Sequence, residues 1–327
     1  MSNTEALPVE VDCAAGPLSE IEILTPRDVP LGGPRAMQVR RTLPQRQRSL
    51  VGAWCFADHY GPDDIRHHPG MDVAPHPHTG LQTVSWLFAG EIEHRDSNAV
   101  HALVRPGELN LMTAGAGICH SEVSTAATTV LHGVQLWIAL PDTARDTERR
   151  FDHYVPQPIS RRDARLTVFL GELAGQRAPV STFTPLLGAQ IDLPPGGSLE
   201  TDIDPGFEHA VLLDTGALEV TGQAVAVGEM AYQGTGHTSL AMTNTGDVPV
   251  RAVLLGGEPF TEELLMWWNF LGRSHDEILQ FREEWQARSA RFGHVAGYRG
   301  DPQWLPAPPL PTTRLKPRQP PARKDIP

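Results

Sequence analysis

The chain has 327 residues, 40% of them hydrophobic and 20% charged. That composition supports a packed core and excludes a disordered chain. Its length predicts about two domains, and 27 lysines and arginines against 39 aspartates and glutamates give a net charge of −12, which disfavours direct nucleic-acid binding.

No run approaches the roughly 18 apolar residues of a membrane span. The opening MSNTEALPVEVDCAAGP has neither the basic start nor the apolar stretch of a secretory signal. Cys13, Cys55 and Cys119 are odd in number and far apart, which suits reduced thiols in the cytoplasm better than a disulfide scaffold. With 30 glycines and 30 prolines, the chain reads as many short segments broken by turns, an all-β pattern.

In chain order, residues 1–20 read as a flexible arm. An N-terminal domain over 21–145 follows, with a long polar loop at 61–78. Strands are expected at 82–88, 91–96, 99–104, 108–113, 118–122 and 130–140, joined by tight turns at Ala89–Gly90 and Arg105–Gly107. Residues 141–164 read as a linker region. A second strand-rich block runs over 166–256, within a C-terminal domain spanning 146–300. VSWLFAGEIE and AVLLDTGALEV align on Gly90 and Gly216, and RPGELNLMTAG and AVGEMAYQGTG on Gly107 and Gly228, so the two blocks read as a duplication. A helix is expected over Thr261–Leu271, ending at Gly272. A second helix should open at Ser274, with Glu277 completing a capping box and Ile278, Phe281 and Trp285 on one apolar face. The tail 301–327 holds nine prolines from Pro302 onward, and Arg314, Lys316, Arg318, Arg323 and Lys324 against Asp325. It reads as disordered or extended.

The histidines carry the chemistry. His76-Pro77-His78 and His120-Ser121-Glu122 each space two ligand-type side chains at i, i+2, which puts both on one face of a strand. If both strands line one wall, three imidazoles and a carboxylate converge. That set suits a single divalent ion, Fe(II), Mn(II), Ni(II), Cu(II) or Zn(II), and resembles the two-histidine, one-carboxylate site of oxygenases with one more histidine. Two open positions would remain for substrate, dioxygen or water. His67 and His68 fall near the mouth of such a site and read as surface residues. His94, His101 and His132 occupy ordinary strand positions from which they could donate to a ligand. Cys119 should point to the opposite face of the His120 strand and be inert.

HPHTGLQTVSWLFAGEIEHRDS and RPGELNLMTAGAGICHSE together resemble the signature of the pirins, bicupin proteins of the cupin superfamily, and MWWNFLGRSHDEI resembles the pirin C-terminal signature. The resemblance covers roughly residues 20–290. It implies two antiparallel β-barrel domains of cupin (jelly-roll) type with short C-terminal helices. It also implies one metal, most often iron, in the N-terminal barrel on His76, His78, His120 and Glu122. The cupin pattern has a glutamate where this chain has Gln82. An amide is no general base, so Glu122 is the candidate base, and Gln82 is expected to hydrogen-bond to a ligand from outside. In the duplication Asp202 and Asp204 fall opposite His76 and His78, and Ala241 and Thr243 opposite His120 and Glu122, so the second barrel should hold no tightly bound transition metal.

Two activities follow from the resemblance. One is a quercetin 2,3-dioxygenase-type oxidoreductase acting on a flavonol-like small molecule. The other is a non-catalytic, redox-sensitive iron protein acting through a partner protein. A monomer is expected, because a duplicated barrel can cover its own faces.

Overall fold

The computed structural model describes residues 21–30, 37–67 and 70–317. The arm expected at 1–20 lies outside them, as do Cys13, His68 and the tail from Arg318 onward.

Each half folds as a seven-stranded sheet facing a four-stranded one, and every strand pairing is antiparallel. In the N-terminal half the large sheet centres on Trp54–Asp64, Val130–Ala139, Leu81–Ala89 and Leu109–Thr113. The small sheet runs Asp72–His78, Ile118–Ser124, Ile92–Asp96 and His101–Val104. The C-terminal half repeats the order. Leu186–Leu193, Val250–Gly257, Glu208–Thr215 and Met230–Gln233 lie in its large sheet, and Ser198–Asp202, Ser239–Asn244, Leu218–Val220 and Gln223–Val225 form its small one. The duplication is therefore structural. Its anchoring turns also agree, because Gly90 and Gly216 take φ of 87° and 89°, a conformation nearly closed to other residues. Each half is a two-sheet jelly roll, with no sheet closed into a full barrel. The halves also trade strands: Glu22–Leu24 pairs with Met230–Gln233, and Arg150–Tyr154 with Leu109–Thr113.

The two large sheets pack against each other, so their strands are buried on both faces and read as nearly unbroken apolar runs. Alternation along Leu81–Ala89 sends Val84 and Trp86 into this junction, where Ala210, Leu212, Val253 and Leu255 meet them. Trp86 stacks on Phe169 with centroids 4.6 Å apart and donates to Gln190. Trp54 donates to the Leu187 and Gly256 carbonyls. Truncating such a tryptophan costs about 3–5 kcal/mol. The opposite faces turn inward. In the C-terminal half they form an apolar core with Leu199, Leu240 and Met242, whereas in the N-terminal half they face a small sheet that carries His76, His78 and His120.

Three segments differ from the sequence reading. Residues 61–64 and 72–78 are strand and not loop, since Trp54–Asp64 continues through Gly61 and Pro62 and Asp72–His78 is a strand. Asp72–His78 tolerates Pro75 and Pro77 because it is the edge strand of its sheet. Thr261–Leu271 is no helix: Leu265–Trp267 pairs with Phe270–Gly272 as a hairpin, with Trp268 at φ 53° in its turn. Burial of Trp267, Trp268 and Phe270 among Ile278, Phe281 and Trp285 overrides the helix propensity of that stretch. Within the region read as a linker, Arg150–Tyr154 and Ile159–Arg161 are strands.

The second helix forms at His275–Gln286, capped by Ser274, whose side chain accepts from the Glu277 backbone N–H. Ile278, Phe281 and Trp285 are its buried face. Glu277 itself accepts from the Arg273 N–H, one residue before the cap. The described part of the tail is extended and docked, not disordered. Trp304 packs on Trp285, and Trp285 donates to the Leu305 carbonyl.

Candidate metal centre

Three buried imidazoles meet inside the N-terminal half. His76 and His78 project from the edge strand, and His120 from its neighbour, where it pairs directly with His76. One ligand atom from each lies within 4.8 Å of the other two. The i, i+2 spacing thus does what alternation requires. Gly80 closes the turn after His78 at φ 68°, and a Cβ there would stand 2.6 Å from the Leu271 carbonyl oxygen.

Backbone carbonyls fix which nitrogen of two of the rings faces inward. His76 Nδ1 lies 2.9 Å from the Ala74 oxygen, and His78 Nδ1 lies 3.2 Å from the Asn269 oxygen. Each Nδ1 therefore carries the proton, leaving an Nε2 lone pair for the interior. His76 Nε2 has no hydrogen-bond partner and is fully buried. His78 Nε2 and His120 Nε2 are 3.1 Å apart, close to the separation of about 3 Å between adjacent nitrogens on one transition-metal ion. Burial pushes the His76 pKa down to about 3 and those of His78 and His120 well below the ordinary value. All three are neutral at pH 7, as ligands must be.

His120 Nδ1 lies 3.4 Å from His94 Nδ1, and His94 Nε2 lies 3.2 Å from Asp96 Oδ2. A carboxylate thus backs His120 through a second imidazole. His94 and Asp96 sit two apart on Ile92–Asp96, and both are buried. The spacing that pointed to the ligands also applies to this pair, and Asp96 went unread. The Asn269 carbonyl was hidden by reading its hairpin as helix.

Glu122 is buried on the same face of its strand as His120 but lies outside the 4.8 Å group. A bulge falls between the two: Glu122 pairs with Val73, so three steps on the edge strand span two on its neighbour, and the Glu122 charge still acts on His76. Ser85 Oγ sits 3.4 Å from Glu122 Oε1 and 2.8 Å from Gln135 Oε1. Tyr60, Gln135 and Trp137 each hold a buried polar atom with no hydrogen-bond partner. Burial, with the Glu122 and Asp58 charges, keeps the Tyr60 phenol protonated. Trp137 meets His78 edge-on at 5.1 Å and stacks on Phe56 at 4.0 Å. The site thus joins neutral nitrogens, one carboxylate and an aromatic wall.

Gln82 takes another place. It shares a face with Val84 and Trp86, opposite to Ser85, and its amide donates to Thr113 at 2.9 Å instead of to a histidine. Asp202 and Asp204 are exposed and do not replace His76 and His78. On the equivalent pair of strands Thr201 pairs with Leu240, and both are buried. His67 is exposed in a short 3-10 turn, and His101 pairs with Glu93 on the surface. His132 joins a separate cluster with His59 and Asp214. Cys119 faces away from the three histidines into the aromatic cluster around Trp285.

Residues 36–138 match the pirin family model, and residues 188–293 match the pirin C-terminal cupin domain. The chain belongs to the pirin family. A Pseudomonas aeruginosa protein named "Putative quercetin 2,3-dioxygenase" is 42% identical over 95% of this chain and 98% of its own length. A pirin-like protein of Caulobacter vibrioides is 33% identical over 76% of this chain and 88% of its own length. Among solved structures, a quercetin 2,3-dioxygenase of Acinetobacter baumannii superposes with a TM-score of 0.84 at 37% identity, covering 90% of this chain and 96% of its own. Escherichia coli YhhW, a bacterial pirin solved with nickel(II), shares the fold at a TM-score of 0.56 and 16% identity, over 73% of this chain and 99% of its own. No helix among the described residues is long and apolar enough to cross a membrane.

Proposed function

We propose that this pirin is a mononuclear metal-dependent dioxygenase of the quercetin 2,3-dioxygenase type, with Fe(II) held by His76, His78, His120 and Glu122. The observation that carries this reading is the orphaned, buried His76 Nε2 facing the close His78–His120 nitrogen pair. A metal bound there would supply a Lewis-acidic centre with positions open to adjacent substrate oxygens and to dioxygen. Glu122 takes the proton of the flavonol hydroxyl, with Ser85 beside its carboxylate. Tyr60 and Gln135 have buried hydrogen-bonding atoms free to orient the substrate's oxygens, and the Phe56–Trp137 stack offers a flat wall for its rings. We place the protein in the cytoplasm, in keeping with its free Cys55 and Cys119, and as a monomer, because its two large sheets already cover each other.

Elemental analysis of untagged protein tests the site, and oxygen uptake with quercetin tests the reaction. About one equivalent of iron, absent from His76→Ala and His120→Ala, together with oxygen-dependent loss of quercetin, is the expected result. Iron at that stoichiometry without turnover, combined with different partner-protein affinities of the Fe(II) and Fe(III) forms, would replace this reading with the regulatory one. Metal retained in both variants would remove the site assignment.

A further inference from the structure

The C-terminal half has a cavity of about 740 Å³ at one end of its core. It lies between the hairpin Glu172–Leu173/Gln176–Arg177 and the loop that leads from Asp202 to His209. A volume of this size suits a small molecule. It belongs to the opposite half of the duplication from the histidine centre.

His209 is the feature that marks it as a site. Its side chain is 1% exposed and lines the cavity. No hydrogen bond of good geometry reaches either of its ring nitrogens, although the Phe207 backbone lies close enough to interact with the ring. Directly across the ladder, Gln233 is 2% exposed and leaves its Oε1 unpartnered. Buried polar groups without partners are costly and rare in native structures, and two adjoin here at one end of an apolar core. Gly256 pairs with His209 on the neighbouring strand, and a Cβ there would stand 3.0 Å from the imidazole. The missing side chain gives the ring its room. Burial holds the His209 pKa down to about 4, so at pH 7 the neutral ring offers one N–H donor and one lone pair.

The surroundings define the ligand. Leu173, Val180, Leu187, Ile203 and Phe207 supply apolar wall. Glu172, Asp202 and Asp204 bring acidic charge to the lining. Arg177 pairs with Glu172, and Asp204 and His237 both act electrostatically on His209. The balance repels anions and favours a cation at the rim.

We propose that this cavity is a second small-molecule site, for an amphipathic amine. Its apolar body lies along the wall, its ammonium faces Asp202 and Asp204, and a hydroxyl bonds to His209. Tyramine is a probe with these three parts. Isothermal titration of the full-length, metal-loaded protein with tyramine should show saturable binding. Phenethylamine, which lacks the hydroxyl, should bind several-fold more weakly, and the anion 4-hydroxyphenylacetate should not bind. His209→Leu should weaken tyramine roughly tenfold, the size expected for a lost buried hydrogen bond. The double variant Asp202→Asn/Asp204→Asn, altered only at exposed positions, should weaken it at low ionic strength and lose its salt dependence. His120→Ala should leave tyramine binding unchanged, whatever it does to the metal centre. Absence of saturation, equal binding of amine and anion, or loss of binding in His120→Ala with retention in His209→Leu would overturn the proposal.

Discussion

His59 Nε2 and Asp214 Oδ1 lie 2.7 Å apart across the junction between the two halves of the duplication. His132 Nε2 reaches the same oxygen at 2.5 Å, and Arg251 donates to Oδ2 at 2.6 Å. One buried carboxylate of the C-terminal half thus gathers two imidazoles of the N-terminal half and a guanidinium of its own. These hydrogen bonds hold the Asp214 carboxyl far below its ordinary pKa despite its burial.

Asp214→Ala leaves Arg251 and two buried histidines without their acceptor. Breaking a buried charged cluster from one side costs about 3–5 kcal/mol. Urea unfolding should show a loss of that order, with the transition broadening or splitting as the two halves uncouple. An unchanged midpoint would mean that the apolar junction alone holds them.

Acidification should destabilise the protein from about pH 6.5 downward, the ordinary value for histidine. His59 and His209 are buried neutral and have folded-state pKa values below that value, His209 at about 4. The unfolded chain therefore takes up more protons as pH falls, and the stability present above pH 6.5 is lost toward pH 4. Asp214, also depressed, adds its loss only below the ordinary aspartate range. Urea midpoints across this range should fall less steeply in His209→Leu than in the parent. Equal slopes would remove His209 from this account.

The Asp96–His94–His120 chain should tune metal affinity without supplying a ligand. Asp96→Asn and His94→Ala are each expected to weaken metal binding about 10- to 100-fold. His78→Ala should abolish binding at the same concentrations. Chelator competition reads both. Parent-like affinity in Asp96→Asn would show that the chain does not orient His120.

Cys55 and Cys119 should resist thiol reagents in the native protein. Burial raises their pKa values to about 12 and about 11, so the reactive thiolate is scarce. In a Cys13→Ser background, labelling by an aromatic disulfide should track global unfolding in urea. Rapid labelling in buffer would reveal local opening at one of these strands.

The sequence by itself determined what repeats locally. Alternation and turn residues marked the strands from Leu81 to Ala139, Gly90 and Gly216 marked the duplication, and the i, i+2 spacing of His76, His78 and His120 marked one face of adjoining strands. These features obey periodicities of two residues and need no partner to be read. Ser274 and Glu277 marked the helix for the same reason, because capping is satisfied within one turn.

Tertiary structure decided the rest. The hairpin at Leu265–Gly272 exists because Trp267, Trp268 and Phe270 are buried against the helix, and only then can the Asn269 carbonyl orient His78. Gln82 faces the inter-sheet junction, and a bulge between His120 and Glu122 breaks the regular register that their spacing alone assumes. The Asp214 cluster joins residues 82 and 155 positions apart in the chain. Burial and long-range pairing fix the charge state and direction of such groups, and neither is a property of a short stretch of sequence.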